Sequence, residues 1–572
     1  MYRQVLDPVS NSLGASSLFA AIPLAVLFLL LGVFLVRAWL SALVSLAAAV
    51  IVATVVYPMP VSQALLSGTE GAAFGFFPIL WIVINAIWIY NMTVATGHFD
   101  VLRRSFAKVS DDQRIQGVII AFAFGALLEA LAGFGTPVAI SSVMLIALGF
   151  RPIKAATVAL VANTAPVAFG ALAVPITTLA TVTDIPQDTL GAMVGRQTPL
   201  LGIFVPLALV FIIDGRRGVR QTWPAMLVAG GAFALAQFVV SNYGSIELTD
   251  IVASLASVVA TVAFLRVWHP VEVYREEEAA ERVAVGVGGR SAPAGEGAAD
   301  TGGGPDRGSG APRAAAAGPD ATGGADSRAD VVRAYAPYVV IIIVFAIAQI
   351  PAIKDALDVP TKVFNWPGLH LETAGGDPST LPDFKLNWLG AAGTLLLISG
   401  LITIPILGIR PGRAVAAWFA TYRQLAAAIV TVMAVLGLAY VMNASGQTVT
   451  LGSWMAGAGG LFALISPVLG WLGVAVTGSD TSSNSLFGAL QVAAAGKAHL
   501  SATLLAGGNS SGGVLGKMIS PQNLAIAAGA VGMSGREGDL FRRVVGWSVL
   551  FALLMCILVY LQSTPVLSWM VP

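Results

Sequence analysis

The chain is 572 residues long, 56% hydrophobic and 11% charged, with a mean hydropathy of +0.82. A soluble domain carries about a quarter charged residues, so a water-soluble fold is excluded and the expected partner is a lipid bilayer. A formal net charge of +1 argues against nucleic acid as a partner, and the single cysteine, Cys556, leaves neither a disulfide framework nor a thiol pair.

Apolar runs follow one another along the chain: Ile22–Val36, Leu40–Val56, Ala72–Thr96, Pro199–Ile213, Val339–Ile350, Trp388–Ile409, Leu425–Val441 and Trp547–Leu561. A spanning helix needs roughly 20 mostly apolar residues, which these runs reach with their flanks. The expected fold is an all-α polytopic membrane protein of about twelve to fourteen transmembrane helices. Leu18–Val36 is longer than the apolar core of a signal peptide and many spans follow it, so it reads as a retained first helix.

One stretch departs from this pattern. Residues 283–330 are Gly, Ala, Pro and Asp with almost no large apolar side chains. Such a segment cannot bury enough surface to offset its ordering entropy and is expected to be disordered. The chain divides there into an N-terminal transmembrane half (1–270), a cytoplasmic linker (271–330) and a C-terminal transmembrane half (331–572). Just before the disordered stretch, Tyr274–Arg282 reads as at most a short, exposed, charged helix.

Basic residues set the orientation. Arg103, Arg104, Lys108 and Arg114 share one loop, Arg216, Arg217 and Arg220 a second, and Arg266, Arg275 and Arg282 flank the linker. Arg410, Arg413 and Arg423 mark a fourth loop, and Arg536, Arg542 and Arg543 a fifth. Positive loops favour the cytoplasm, which puts the 241–250 and 351–387 loops, and by parity both termini, outside. Trp366 and Trp388 in the second of these fit an interfacial aromatic belt.

Two regions are not plain Ala/Leu/Val helix, and they occupy corresponding places in the two halves. In front, 125–140 reads GALLEALAGFGTPVAI and 163–175 reads NTAPVAFGALAVP. Behind, 477–491 reads TGSDTSSNSLFGALQ and 509–522 reads NSSGGVLGKMISPQ. Phe134 to Asn163 and Asp480 to Asn509 are both 29 residues, which suggests an internal repeat. An unpaired backbone amide in hydrocarbon costs several kcal/mol, so broken helices are tolerated only inside protein or beside water. Two interrupted segments in matching places point to a site near the membrane midplane. Broken helices present N-terminal amides that bind a carboxylate. Candidate ligands are Gly135, Thr136, Asn163, Thr164, Ser482, Ser483, Asn484, Asn509, Ser510 and Ser511, whose amides and hydroxyls suit carboxylate and hydroxyl oxygens. The same small polar residues also serve ordinary packing between membrane helices, and both readings stand for each.

Intramembrane carboxylates cost roughly 2.5–3.5 kcal/mol and are functional candidates by default, which singles out Glu129 and Asp480. Both suit proton coupling; the competing reading is a structural ion pair for Glu129 and a helix cap for Asp480. Lys517 is a candidate charge partner, attracting an anion or pairing Asp480. Arg196 is a second candidate, with a helix-end anchor as its alternative. Arg151 and Lys154 read as snorkelling residues at a membrane edge. Residues 508–512 fit G-x-S-x-G without the strand–turn–helix a hydrolase needs, and Gly516-Lys517 lacks the rest of a P-loop. His98, His269, His370 and His499 are scattered without metal-ligand spacing, and no catalytic constellation or cofactor motif is visible.

At these residues the chain resembles the bacterial L-lactate permease family, which includes glycolate permeases. The resemblance rests on LLEALAGFGTPVAI, VANTAPVAFGAL, MVGRQTP, IIDGRRGVRQTWPAMLVAGGAFALAQF, TGSDTSSNSLFGALQ and GKMISPQNLAIAAGAVG, and covers nearly the whole chain outside the linker. One small departure is Ala130-Leu131 after Glu129, where the family often has Gly and a smaller residue. The resemblance implies proton symport of lactate and similar small 2-hydroxy monocarboxylates across the bacterial cytoplasmic membrane. It also implies two inverted halves with broken helices or re-entrant hairpins. Sodium coupling, with oxygen ligands around Asp480 and Asn509, a glycolate preference, an anion channel, and a membrane-embedded enzyme using Ser510 are the competing readings.

Overall fold

The computed structural model describes residues 2–572 except 35, 108, 132, 134, 277–326, 349, 534 and 535. Most of the linker, Lys108 and Phe134 therefore lie outside the described residues. Hydrocarbon offers backbone amides no partner, so apolar runs close their hydrogen bonds within helices, and the architecture is helical nearly throughout. Among the described residues ten helical stretches are long and apolar enough to cross a membrane, or eleven counting the bent pair Pro152–Ala162 and Val167–Thr183. The number is below twelve to fourteen because several runs continue past one crossing: Gln187–Tyr243 is 57 residues, and Val61–Ala95 and Pro411–Ser445 are 35 each. At 1.5 Å per residue these exceed an apolar layer of about 30 Å.

The 351–387 loop carries small β ribbons that hydropathy alone did not signal. Lys362–Asn365 pairs antiparallel with Asp383–Leu386, and Tyr2–Arg3 pairs parallel with Leu371–Glu372. Near the other terminus, Arg196 donates from Nε to Asn242 Oδ1 (2.8 Å) and from a terminal nitrogen to the Met570 carbonyl (3.1 Å). Residues of the 242–247 turn and of the 354–392 segment line one cavity. Both chain ends, the 241–250 turn and the 351–387 loop thus share a face.

The opposite face is held by a charge clamp. Arg114, fully buried, donates to Asp112 (2.7 Å), Asp214 (2.9 Å), Gln221 (2.7 Å) and the Glu272 carbonyl (2.8 Å), and its guanidinium lies 5.4 Å from the Tyr274 ring centroid. Burial, then the nearby Glu276 and Asp214 carboxylates, push the Tyr274 phenol up to about 12. Glu276 is 6% exposed and pairs with Lys154 at 2.9 Å. The segment expected to be an exposed helix from Tyr274 is therefore clasped at its described start, because two bases on the membrane edge need that carboxylate. At the far end of the linker, the helix Arg328–Ala348 begins three residues before the expected boundary at 331.

Four breaks interrupt the bundle. Gln113–Leu131 runs inward, turns near Gly133 and Gly135, and returns as Thr136–Ala147, so that Gln113 Nε2 meets the Leu148 carbonyl at 2.6 Å. This is a helical hairpin. Pro152–Ala162 and Gly170–Thr183 form a broken span, bent by 65°. Phe462–Thr477 turns at Gly478 into the antiparallel Asp480–Ala498, as shown by Ser466 against Gln491 (2.9 Å) and Ser483 against the Gly470 carbonyl (3.0 Å). Ala502–Gly516 breaks at Lys517–Ser520 before Pro521–Ala530. It lies so close to Phe462–Thr477 that a Cβ on Gly470 would sit 1.8 Å from the Asn509 carbonyl oxygen, and one on Gly512 2.2 Å from that of Pro467. Only glycine permits backbones this near.

Candidate functional site

The four breaks converge, and a buried polar cluster fills the meeting point. The turn of the first hairpin touches the second broken span: a Cβ on Gly135 would strike Ile526 and approach Asn523 Oδ1 at 3.3 Å. Gly135, at φ +81°, adopts the left-handed conformation that caps the arm starting at Thr136. Reciprocally, the second hairpin touches the first broken span, where Asn484 Nδ2 donates to the Pro175 carbonyl at 3.2 Å. Pro175 follows a left-handed turn at Ala171, Leu172 and Ala173 (φ 45°, 55° and 59°). Three consecutive non-glycine residues in that conformation cost roughly 1–2 kcal/mol each, strain of the kind that gathers at functional sites.

At the centre Glu129, 3% exposed, receives Lys517 Nζ on Oε1 at 2.5 Å and Asn163 Nδ2 on Oε2 at 2.9 Å. Lys517, 5% exposed, thus pairs with Glu129 and not with Asp480. The pair joins the first hairpin to the second broken span across 388 residues of sequence. Gly170 makes room for it, since a Cβ there would lie 2.9 Å from Glu129 Oε1.

Asp480 forms a second centre. Its Oδ2 accepts from Ser510 Oγ (2.6 Å) and Asn484 Nδ2 (3.3 Å), while Oδ1 has no partner among the described residues. The helix cap is supplied by Ser479, whose hydroxyl accepts from the Ser482 amide. That leaves Asp480 free to face Ser510. From there a chain of amides runs outward: Asn509 Nδ2 to Asn484 Oδ1 (2.9 Å), then Gln491 Nε2 to Asn509 Oδ1 (3.2 Å).

The remaining candidates are placed less centrally. Ser511 donates to Gln197 Oε1 (2.7 Å), Ser483 to the Gly470 carbonyl and Thr164 to the Val161 carbonyl (2.7 Å). Ser482 contributes its amide to the cap, and Arg196 lies at the face shared by the chain ends. Asn163 Oδ1 and Asp480 Oδ1 are the buried acceptors of the cluster left without a donor among the described residues.

Sequence reasoning passed over several participants. Gln197, next to the noticed Arg196, is the residue that reaches inward, bonding Ser511 and Gln562. Asp250 is fully buried, yet it sits in a stretch expected to be an outside loop; away from the cluster, Glu70 is fully buried too. The left-handed Ala-Leu-Ala turn has no compositional signature at all. A cavity of about 790 Å³, lined by Phe74, Phe77, Thr177, Ser245, Glu247 and Lys385 among others, opens at the face of the chain ends. Thr177, Ala180 and Thr181 of the first broken span form part of the wall of this vestibule. A smaller, mainly apolar space of about 10 Å³ lies by Thr164 and Val514.

The family model described as L-lactate permease matches residues 16–566. The chain is 38% identical to the L-lactate permease of Bacillus subtilis, with 100% of each chain covered. It is 41% identical to the glycolate permease GlcA of Escherichia coli, with 98% of each covered, and 38% identical to the L-lactate permease of that organism over the whole of both chains. Among solved structures, the Alcanivorax borkumensis YdaH transporter aligns over 87% of each chain at 15% identity and a TM-score of 0.41. MtrF of Neisseria gonorrhoeae aligns over 86% of this chain and 82% of its own at 12% identity and 0.43. With the match running through every block that builds the cluster, the chain belongs to the L-lactate permease family, as a multi-pass protein of the bacterial cell membrane.

Proposed function

We propose that the chain takes up L-lactate and related small 2-hydroxy monocarboxylates, glycolate among them, by proton symport. The observation that carries this reading is the buried Glu129–Lys517 pair at the meeting point of the four breaks. Lys517 is the cation of the cluster and Glu129 occupies it. A substrate carboxylate gains that cation when Glu129 takes up a proton and releases it. Proton and anion then bind together, one of each. The orphaned acceptors Asn163 Oδ1 and Asp480 Oδ1 suit the 2-hydroxyl of such a substrate, which donates one hydrogen bond.

The energetics favour this stoichiometry. A monoanion entering an inside-negative cell works against roughly 2.3 kcal/mol per 100 mV, which one accompanying proton cancels. An inverted relation of the two halves belongs to the same reading. In its support, the first hairpin closes at Gln113 and Leu148, on the face of the Arg114 clamp. The second opens on the other side, where Ser466 meets the Leu505 carbonyl near Val559, a few residues before the chain end that Arg196 holds.

Uptake of labelled L-lactate into proteoliposomes tests the proposal. An inward proton gradient is expected to drive accumulation that collapses with a protonophore. Accumulation driven by sodium and indifferent to pH would overturn the proton reading, and downhill leakage without accumulation would mark a channel. Competition by unlabelled glycolate measures the breadth of the substrate class.

A further inference from the structure

We infer that Asp250 is the group that hands Glu129 its proton from the vestibule side; this rests on the symport reading above. Asp250 stands in the first turn of Thr249–Phe264, is fully buried, and its carboxylate has one hydrogen bond among the described residues, from Gln237 Nε2 to Oδ1 at 2.8 Å. Its Oδ2 is buried without a partner among the described residues. An ionised carboxylate so placed lacks both solvent and a counter-cation, and a hydrogen on Oδ2 removes the charge that the surroundings oppose.

Its surroundings define a route. Thr249–Phe264 packs against Gly125–Leu131, the helix that carries Glu129. Gln237 also donates to the Ala165 carbonyl (3.3 Å), inside the break that holds Asn163, so Asp250 and Glu129 are tied to one broken segment. On the other side, Ser245, Ile246 and Glu247 line the vestibule. Asp250 lies three residues beyond Glu247, at the start of the helix into which the 3-10 turn Ile246–Leu248 leads. The ionisable groups facing it are Glu129 and, behind it, Lys517, with Glu247 at the rim; Gly170–Thr183 and residues 119–124 bring none, and Val205–Tyr243 brings the neutral Gln237.

The transfer balances. Asp250 gives its Oδ2 proton to the Glu129 carboxylate, Glu129 becomes neutral and lets go of Lys517, and Asp250 is left as an anion. The partial positive charge of the first helical turn tolerates that anion briefly. A proton from vestibule water then restores Asp250, so one proton enters per cycle.

The test compares two modes of transport in proteoliposomes holding full-length Asp250→Asn. Gradient-driven accumulation of labelled L-lactate is expected to fall by about a hundredfold. Exchange of external labelled for internal unlabelled lactate at equal pH is expected to persist, because it needs no proton to leave the carrier. Undiminished accumulation would overturn the relay, and so would loss of exchange in folded protein, which would mean a role in binding. Absence of proton-driven accumulation in the unaltered chain would instead remove the symport reading itself. Should Asp250→Asn fail to fold, Asp250→Glu serves: its longer carboxyl is expected to shift the pH profile of accumulation, and an unshifted profile would overturn the proposal.

Discussion

Removing Lys517 gives the sharpest test of the central pair. Lys517→Met keeps length and apolar stem but leaves the Glu129 carboxylate with Asn163 as its one remaining donor among the described residues. Both side chains are almost wholly buried, at 7% and 4% exposure, so solvent neither screens the pair nor rescues an orphan. Breaking such a pair from one side costs about 3–5 kcal/mol, whereas replacing both partners by neutral groups of like size is often close to neutral. Lys517→Met and Glu129→Gln should therefore each lower stability substantially, and the double variant should recover most of the loss. Thermal unfolding of the detergent-solubilised chains reads all four corners of this cycle. Additive losses, with the double variant as unstable as the sum of the singles, would show that the two groups do not act as a pair.

Three further outcomes follow from particular contacts. Ala171→Gly should raise stability by about 1 kcal/mol, because glycine accepts the left-handed turn without strain; a fall in unfolding temperature would mean that the side-chain packing outweighs it. Gly512→Ala, whose new Cβ would sit 2.2 Å from the Pro467 carbonyl oxygen, should cost about 1–3 kcal/mol through overpacking, and an unchanged unfolding temperature would show that the two helices can part. Glu70→Leu removes a carboxyl with both oxygens buried and without partners among the described residues, and should stabilise the chain by about 1–3 kcal/mol. Loss of stability there, measured by the same unfolding assay, would reveal a partner for Glu70.

The regions that hold the helix breaks were legible, because Gly, Pro, Ser, Thr and Asn crowd 125–140, 163–175, 477–491 and 509–522. So were Glu129, Asp480 and Lys517, each a charge inside such a region. Their pairing was not, since Lys517 chooses Glu129 over the nearer-in-sequence Asp480 only when the first hairpin reaches the second broken span. Asp250 was hidden for a different reason. SNYGSIELTD has the composition of an exposed turn, but a 3-10 turn at Ile246–Leu248 leads at once into a buried helix, carrying the carboxyl with it. Asn509, Ser510 and Ser511 were expected at a break and instead stand in unbroken helix, Ala502–Gly516, with the break just beyond. Glycine at 507, 508, 512 and 513 serves close approach there, and composition alone does not separate a seam from a kink.

That glycine seam has a mechanical consequence. Phe462–Thr477 and Ala502–Gly516 touch backbone to backbone, leaving no cushion of side chains along which one could slide or roll. The pair is thus built as one beam, which ends at Gly478 on one member and at Lys517–Ser520 on the other. Asp480 stands two residues beyond the first of these and Lys517 in the second, so the two charges lie at the ends of the beam.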